Sequence, residues 1–198
     1  MCGKNNFKHP EMTDPNMFSE QFFSNYFREL DTRVNEFEKS LFDRCMELIQ
    51  KAHSAKKKLI FAGNGGSAAI ASHLAVDFTK TAHIRAINFN EADLITCFAN
   101  DFGYEDWVVE ALKAYGDAGD VAILISSSGS SANIVNAATY AKASGILTIT
   151  LSGFKATNPL RGAGDVNLWV NSELYNVVEL THQIWLLAIL DCLVEQRG

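Results

Sequence analysis

Residues 59–74 (LIFAGNGGSAAIASHL) and residues 122–137 (AILISSSGSSANIVNA) decide the fold. Each stretch begins with a run of apolar residues, continues through a loop of small residues, and enters a segment with helical periodicity. A short apolar run bounded by glycine or serine is typical of a buried strand in a parallel sheet. The repeated plan predicts two strand–loop–helix units, with the loops at the strand ends where ligands bind in open α/β sheets.

Five apolar runs alternate with helical stretches along the chain. The strands are predicted at Lys58–Ala62, Ile84–Asn88, Val121–Ser126, Ile146–Leu151 and Val166–Val170. Helices are predicted after the two loops, to about Phe78 and Ser144, and over residues 91–102 and 105–115. Because crossovers between parallel strands are right-handed, the sequence predicts an α/β fold with a doubly wound, five-stranded parallel sheet flanked by helices.

The two ends of the chain carry helical patterns that exceed the needs of one small domain. Apolar residues recur every three or four positions over residues 18–48, which corresponds to roughly 45 Å of helix. This stripe fits either two helices on one core or a helix that also packs on another subunit, and Phe23 and Phe27 favour the second. Residues 175–196 are apolar on nearly all sides, as in a helix buried on every side. We therefore expect long terminal helices that take part in oligomerisation.

The composition indicates one folded domain without a strongly basic surface. The chain has 198 residues, of which 47% are hydrophobic and 20% charged, and its net charge is −6. This composition excludes disorder of the whole chain and disfavours direct binding of nucleic acid. Residues 1–17 are polar and contain two prolines, so they are predicted to be a flexible tail that precedes a single domain over residues 18–198.

The cysteines and the N-terminus indicate a cytoplasmic location. Cys2, Cys45, Cys97 and Cys192 are far apart in sequence, so they form no CxxC pair for zinc or dithiol chemistry. Isolated cysteines are typical of a reducing compartment. The sequence has neither the apolar segment of a signal peptide nor a run of 18 apolar residues, so no membrane span is expected.

The loop Ser126–Ser131 (SSSGSS) is the first candidate binding site. Hydroxyls and backbone N–H groups at a helix N-terminus form a site for a phosphate dianion. The loop lacks the lysine of a nucleotide-binding P-loop, which favours a sugar phosphate over a nucleoside triphosphate with magnesium. The alternative is an ordinary serine-rich turn in which Ser130 or Ser131 caps the following helix.

The loop Gly63–Ser67 (GNGGS) and the helix after it form the second candidate site. Its three glycines permit a ligand to approach the backbone closely. The third glycine of a dinucleotide fingerprint is replaced by Ala68, so a dinucleotide site is disfavoured. The helix carries His73 and Asp77 at positions i and i+4, a pair suited to proton transfer or metal ligation. The alternative is a solvated pair on the helix surface.

Together with residues 99–106 (ANDFGYED) and the C-terminal helix, these motifs resemble the sugar isomerase (SIS) domain, and more specifically the phosphoheptose isomerases. The resemblance covers roughly residues 20–196 and depends on the two loops, their spacing and the NDFG segment. It implies a homotetramer built on the terminal helices, with active sites at subunit interfaces. It also implies a cytoplasmic enzyme that isomerises sedoheptulose 7-phosphate and supplies heptose for surface polysaccharide such as lipopolysaccharide.

The resemblance also implies roles for individual residues. The phosphate-binding positions fall on Ser126, Ser127, Ser128 and Ser131, and further substrate-binding positions fall on Asn64, Ser67 and Asp101. Asp77 stands at the position of the family's general base, a glutamate, and His73 matches the histidine before it. On the C-terminal helix, Glu179 stands where the family has a glutamine, and Leu187 where it has a proton-transferring histidine.

These departures lie at the positions that carry the chemistry. Asp77 is one methylene shorter than glutamate, and a misplacement of about 1 Å can cost on the order of 10²-fold in rate. Leu187 cannot transfer a proton, so we expect Glu179 or His182 to be the second proton-transfer group beside Asp77. The alternative for His182 is a buried histidine that is hydrogen-bonded across an interface.

No cofactor is required for such an isomerisation, although the resemblance implies that some phosphoheptose isomerases bind zinc with the residues at these positions. Here the zinc ligands would be His73, Asp77 and Glu179, a set of N and O ligands that would leave an open position.

Two functions follow from the resemblance. The first is an aldose–ketose isomerase that acts on a phosphorylated sugar through an enediol. The second is a non-catalytic SIS protein that binds a sugar phosphate or serves as a scaffold, similar to the DnaA initiator-associating protein.

Overall fold

Five parallel strands form one sheet in the order β2-β1-β3-β4-β5. The structure is a computed structural model that describes residues 15–197, with side chains from Ser19 onward. The strands are β1 (Leu59–Gly63), β2 (Ala86–Asn88), β3 (Val121–Ser126), β4 (Leu147–Ser152) and β5 (Val166–Trp169). The helices are α1 (Pro15–Asn35), α2 (Lys39–Ser54), α3 (Gly66–Lys80), α4 (Ala92–Phe102), α5 (Trp107–Tyr115), α6 (Ala132–Ala143) and α7 (Tyr175–Glu195), with a 3₁₀ turn at Pro159–Gly162. This architecture confirms the predicted α/β fold.

Helices cover both faces of the sheet and create two hydrophobic cores. One core contains side chains of α2, α3 and α7, among them Phe78 and Trp185. The other contains side chains of α5 and α6, among them Trp107 and Ile134. Alternate residues of β3 contribute to the two cores, because successive side chains of a strand point to opposite faces. Burial on both faces explains why the strands are unbroken apolar runs in the sequence.

Two strands are shorter than predicted. Pairing of β1 with β2 begins at Leu59 and Ala86, so β2 starts two residues after the predicted Ile84. Ile84 is fully buried, but its N–H group donates to the carbonyl of Phe78 in the turn that follows α3. β5 ends at Trp169, one residue before the predicted end.

The N-terminal apolar stripe forms two helices, since the chain turns at residues 36–38 between α1 and α2. Trp185 of α7 donates its indole N–H to the Val34 carbonyl at 2.9 Å, and so satisfies an acceptor in the last turn of α1. Phe37 then packs on Phe42 of α2, with ring centroids 5.2 Å apart. The stripe thus forms two helices, while packing of α1 on another subunit stays a prediction.

α1 begins at Pro15 and therefore includes the last residues of the predicted tail, while residues 1–14 lie outside the described part of the chain. Proline is favourable in the first turn of a helix, where its missing N–H group leaves no bond unmade. α1 packs along α7, and its other side leaves Phe23 and Phe27 54% and 62% exposed. In a single chain this side of α1 is an apolar surface.

α7 is the apolar C-terminal helix that the sequence predicted over residues 175–196, and it ends at Glu195. Its length and hydropathy would suffice to cross a membrane, but half of its apolar segment is buried inside this fold. It contacts α1, α2 and α3, so different sides of the helix face different neighbours. Leu180 and Ile184 remain 38% exposed each.

His182 fixes α7 to the sheet. Its side chain has no solvent exposure, and its Nε2 atom lies 3.1 Å from the carbonyl oxygen of Ser152 at the end of β4. Nε2 therefore carries the hydrogen and donates it, whereas Nδ1 has no partner among the described residues. Burial lowers the pKa of His182 to about 4, and the hydrogen bond to Ser152 opposes this shift.

The predicted catalytic role of His182 is thus corrected. A side chain with no exposure in the single chain does not reach a bound substrate. The alternative of a buried histidine describes it better, but its hydrogen-bond partner lies in the same chain rather than across an interface.

The neutral state of His182 predicts a loss of stability in acid. The imidazole pKa is about 6.5 in an unfolded chain and about 4 in the fold, so the unfolded state binds more protons between these values. The contribution of neutral His182 to the free energy of unfolding is therefore complete above pH 6.5. It falls by about 3 kcal/mol in total as the pH decreases toward 4. Urea unfolding at a series of pH values measures it. His182→Gln retains an N–H donor without titrating and should flatten the pH dependence over this range; an unchanged dependence would contradict the assignment.

Candidate active site

The two loops predicted from the sequence lie side by side at the carboxyl ends of β1 and β3. These strands pair in parallel with Gly63 opposite Ile125, so both loops leave the sheet at the same edge. Between them lies a cavity of about 250 Å³, here called the serine cavity. Its walls come from both loops and the start of α7: Asn64, Gly65, Gly66, Ser67, Ser126, Ser127, Ser128, Ser131, Tyr175 and Glu179. The structure therefore brings together all the predicted substrate-binding residues except Asp101.

Serine hydroxyls of this cavity form a short hydrogen-bonded network with Glu179. Ser67 and Ser127 are both nearly buried, and their Oγ atoms lie 3.4 Å apart. The Ser127 hydroxyl donates to Oε1 of Glu179 at 3.1 Å. Because hydroxyl hydrogens rotate, the same groups can instead donate to an anion that enters the cavity.

The N-terminus of α6 borders the serine cavity. Ser131 is the N-cap residue of α6, but its side chain makes no capping hydrogen bond and instead accepts one from Ser126 at 3.0 Å. The first N–H groups of a helix have no intrahelical partner and carry partial positive charge. Among the described residues, no lysine or arginine lines the cavity. An anion would therefore be held by hydroxyls and by the helix N-terminus rather than by a fixed cation.

Glu179 forms the wall of the cavity that comes from α7. Its carboxylate lies so close to Gly66 that a Cβ atom at position 66 would overlap it. Burial raises the pKa of Glu179, while the hydrogen bond from Ser127 opposes the shift. A raised pKa favours the protonated form of the carboxyl group, which is the form that can donate a proton.

Two residues that hold Asn64 were not identified from the sequence. Asn64 and Asn133 exchange two amide hydrogen bonds of 2.9 and 3.0 Å. The Tyr104 hydroxyl donates to the same Asn64 Oδ1 atom at 3.0 Å. Asn133 lies in the first turn of α6 just after Ser131, so its place in the motif is a usable signal. Tyr104 follows α4, and no sequence spacing connects it to Asn64.

A second cavity, of about 340 Å³, adjoins the serine cavity. Gly66 and Glu179 line both of them. It lies between α1, α3 and α7, and its further lining residues are Tyr26, Ala69, Ile70, Asn176, Leu180 and Gln183. We call it the helix cavity. A ligand whose phosphate occupies the serine cavity can extend past Glu179 into this space.

The predicted pair of His73 and Asp77 is confirmed on α3. Nε2 of His73 lies 3.0 Å from Oδ2 of Asp77, and the two side chains are 46% and 30% exposed. The side-chain nitrogen of Gln183 lies 3.0 Å from Nδ1 of His73. The pair is therefore connected through Gln183 to the helix cavity and is more than a solvated pair on a helix surface.

The three predicted zinc ligands do not converge within one chain. His73 and Asp77 face each other on α3, whereas Glu179 accepts a hydrogen bond from Ser127. Within residues 15–197, no group of three His, Cys, Asp or Glu side chains is arranged to hold a metal ion. The residues of a single chain thus do not fit the zinc site that the resemblance implied.

Asp101 and Leu187, like His73 and Asp77, are not among the residues that line either cavity. Asp101 is exposed on α4 and accepts a hydrogen bond from the neighbouring Asn100 at 2.8 Å. Its contact with a sugar remains a prediction. Leu187 is partly buried and packs against the core between α7 and the sheet.

Comparison with known proteins agrees with these features. A family model of the SIS domain matches residues 22–153. The phosphoheptose isomerase of Fusobacterium nucleatum is 32% identical over 161 residues, which are 79% of this chain and 82% of that protein. The phosphoheptose isomerase of Histophilus somni is 33% identical over 163 residues, which are 78% of this chain and 83% of that protein.

A solved structure shows the same similarity in three dimensions. The phosphoheptose isomerase from Neisseria gonorrhoeae superposes with a TM-score of 0.80 at 26% identity, and the match covers 88% of this chain and 98% of that one. The region matched by the family model includes both loops, the His73–Asp77 pair and helices α3 to α6. The chain therefore belongs to the SIS domain family and, within it, to the phosphoheptose isomerase family.

Proposed function

We propose that this protein is an aldose–ketose isomerase that converts sedoheptulose 7-phosphate into a heptose 7-phosphate through an enediol. The observation that carries the proposal is the serine cavity, which adjoins a second cavity beside the His73–Asp77 pair. The two phosphoheptose isomerases that are similar over 79% and 78% of the chain support the same substrate.

The phosphate group of the sugar binds in the serine cavity. The hydroxyls that face it belong to Ser126, Ser127, Ser128 and Ser131. Neutral donors and a helix N-terminus hold a phosphate dianion without a fixed cation. Ser67 and Asn64 lie on the opposite loop, and Asn64 is held in place by Asn133 and Tyr104 for contact with the sugar.

The isomerisation needs one group that moves a proton between carbons and another that moves protons between oxygens. In the ketose-to-aldose direction, the Asp77 carboxylate takes a proton from C1 of the sugar. The electron pair of that C–H bond forms the C1=C2 bond of the enediol, while the C2 oxygen takes a proton from the Glu179 carboxyl group. The O1 proton then passes to Glu179, C1=O forms, and Asp77 returns its proton to C2.

A second function is supported by the residues that this chain lacks for proton transfer. Leu187, which packs against the core, stands at the position where the resemblance places a histidine. His182 is fully buried and does not replace that histidine in the cavity. The serine cavity is nevertheless complete. A non-catalytic protein that binds a sugar phosphate, or a scaffold similar to the DnaA initiator-associating protein, is therefore the second candidate.

We propose a homo-oligomer, a tetramer by the resemblance, as the functional form. Support comes from apolar side chains that are more than one third exposed on α1, α3 and α7: Phe23, Phe27, Val76, Leu180 and Ile184. These helices pack on one another, with α7 between the other two. Val76 precedes Asp77, so a second copy on this surface would enclose the His73–Asp77 pair and exclude water from it.

We propose a cytoplasmic location, with the phosphorylated sugar and further copies of the chain as partners. Cys45, Cys97 and Cys192 are free thiols, which fits a reducing compartment. Zinc held by His73, Asp77 and Glu179 stays a prediction, because these residues do not converge within one chain and a second copy would have to complete the site.

Exchange of substrate hydrogen with solvent tests the isomerase. The protein is incubated with sedoheptulose 7-phosphate in D₂O, with and without added zinc, and followed by proton NMR. We expect an aldose phosphate to form and deuterium to enter beside the carbonyl, because Asp77 exchanges its proton with solvent. Asp77→Asn should lower the rate by about 10²- to 10⁴-fold. Asp191→Asn, at an exposed position of α7, is the matched control.

Absence of both turnover and exchange in the folded protein, with or without zinc, would contradict the isomerase proposal for this substrate. Binding of the phosphorylated sugar by the same preparation would then favour the non-catalytic function.

Replacement of Glu179 tests the second proton-transfer group. Glu179→Gln retains the size of the side chain and an acceptor for Ser127 but cannot transfer a proton. We expect kcat to fall by about 10²- to 10⁴-fold with little change in KM. Glu195→Gln, at the exposed end of the same helix, should leave both constants unchanged. A wild-type kcat in Glu179→Gln would show that another group transfers the protons between the two oxygens of the sugar.

A charge on the apolar surface of α1 tests the oligomer. Phe27→Glu should reduce the molar mass measured by light scattering, because burying an unpaired carboxylate at an interface is costly. Circular dichroism should remain that of the wild type, since Phe27 is 62% exposed in the single chain. Thr139→Glu, an exposed change on α6, is the control. An unchanged mass in Phe27→Glu would remove this surface from the interface.

A further inference from the structure

One amide side chain connects α7 to the proposed base on α3. The side-chain nitrogen of Gln183 lies 3.0 Å from Nδ1 of His73, and Nε2 of His73 lies 3.0 Å from Oδ2 of Asp77. The three side chains form a continuous series of hydrogen bonds that ends on the Asp77 carboxylate. The series crosses from one helix to another, although the residues are more than 100 positions apart (the Gln183–His73 separation is 110).

The contacts determine which ring nitrogen of His73 carries the hydrogen. An ionised carboxylate only accepts hydrogen bonds, so Nε2 bears the hydrogen and donates it to Asp77. In a neutral imidazole, Nδ1 is then an acceptor, and the amide N–H of Gln183 satisfies it. Both nitrogens of the ring are used. The ring therefore cannot turn away without losing a hydrogen bond.

The hydrogen bond from Gln183, here called the anchor, matters because the His73–Asp77 pair is not buried. The side chain of His73 is 46% exposed, so without Gln183 its ring would be held at one nitrogen only and water would compete for the other. Asp77 has a short side chain, and its Oδ2 atom is engaged by His73. Among the described residues no hydrogen bond engages Oδ1, and in the proposed function this is the oxygen that takes the proton from the substrate carbon.

The position of Gln183 on α7 places it beside the space that a sugar would enter. Gln183 lies four residues after Glu179, so the two side chains are neighbours on one face of the helix. Both line the helix cavity. The buried His182 next to Gln183 bonds this turn of α7 to the end of β4.

We propose that Gln183 is a positioning residue: it holds the His73 ring, and through that ring it directs the Asp77 carboxylate toward the reacting carbon. The inference rests on the proposed function, in which Asp77 is the base. Gln183 itself makes no contact with the transferred proton. α7 thus supplies one proton-transfer group directly, as Glu179, and orients the other from a distance, through Gln183.

Gln183→Met tests this role, because methionine retains the length of the side chain and removes the amide. Gln50→Met is the matched control, since the Gln50 amide bonds to Gln196 and lines neither cavity. We expect Gln183→Met to lower kcat by about 10- to 100-fold, the cost of a base misplaced by up to about 1 Å, with KM within about twofold of the wild type. The control should change neither constant.

A spectroscopic measurement on the ligand-free protein separates the anchor from the activity. With ¹⁵N-labelled histidine, the Nε2–H signal of His73, assigned by its loss in His73→Asn, should be visible in the wild type because its exchange with water is slow. It should disappear in Gln183→Met and persist in Gln50→Met. A signal that persists in Gln183→Met would overturn the inference.

The two arms distinguish failure of the inference from failure of the proposed function. Isomerisation by the wild type together with an unchanged kcat in Gln183→Met would overturn the positioning role and leave the isomerase intact. A wild type without isomerase activity would overturn the proposed function, and the NMR comparison would still decide whether Gln183 anchors the ring.

Discussion

The parallel pairing of β1 with β3 is the constraint on which the site depends. It brings two loops from distant parts of the sequence to one edge of the sheet, with Gly63 opposite Ile125. The approach is close: a Cβ atom at Gly63 would lie 2.6 Å from backbone atoms of Ser67, so only glycine fits where the strand turns into α3. The reciprocal amide bonds between Asn64 and Asn133 then join the two loops directly. The serine cavity is the space that these contacts leave.

Within that cavity, the binding of an anion and the transfer of protons are carried by different parts of the fold. The loops and the N-terminus of α6 supply neutral donors, and they hold their positions through backbone geometry. α7 supplies the ionisable group, Glu179, whose carboxylate occupies the space left by the absent side chain of Gly66. Because the ionisable group comes from a separate helix, substitutions on α7 can alter the chemistry without altering the phosphate site. Leu187 of the same helix is partly buried against the core and does not line the serine cavity.

The sequence predicted the features that depend on local pattern. The strands, the loops that follow β1 and β3, and the i,i+4 pair of His73 and Asp77 are all encoded by periodicity or by short motifs. The contacts that join distant segments were not predictable, because no spacing encodes them. The bond from Trp185 to Val34 that ends α1, the bond from Tyr104 to Asn64 and the anchor of Gln183 on His73 are of this kind. Glu179 and His182 are three residues apart on α7, yet Glu179 lines the serine cavity and His182 is buried in the core.

The hydrogen bond from Trp185 to Val34 spans 151 positions of sequence and has a consequence for the newly made chain. One face of the sheet is completed only when α7 covers it, and α7 is the last helix along the chain. At a translation rate of roughly 5–20 residues per second, β1 is synthesised on the order of ten seconds before that helix. During this interval the apolar side chains of β1 on that face have no cover from α7. Burial of this face of the sheet therefore requires synthesis of α7 as well as pairing of the strands.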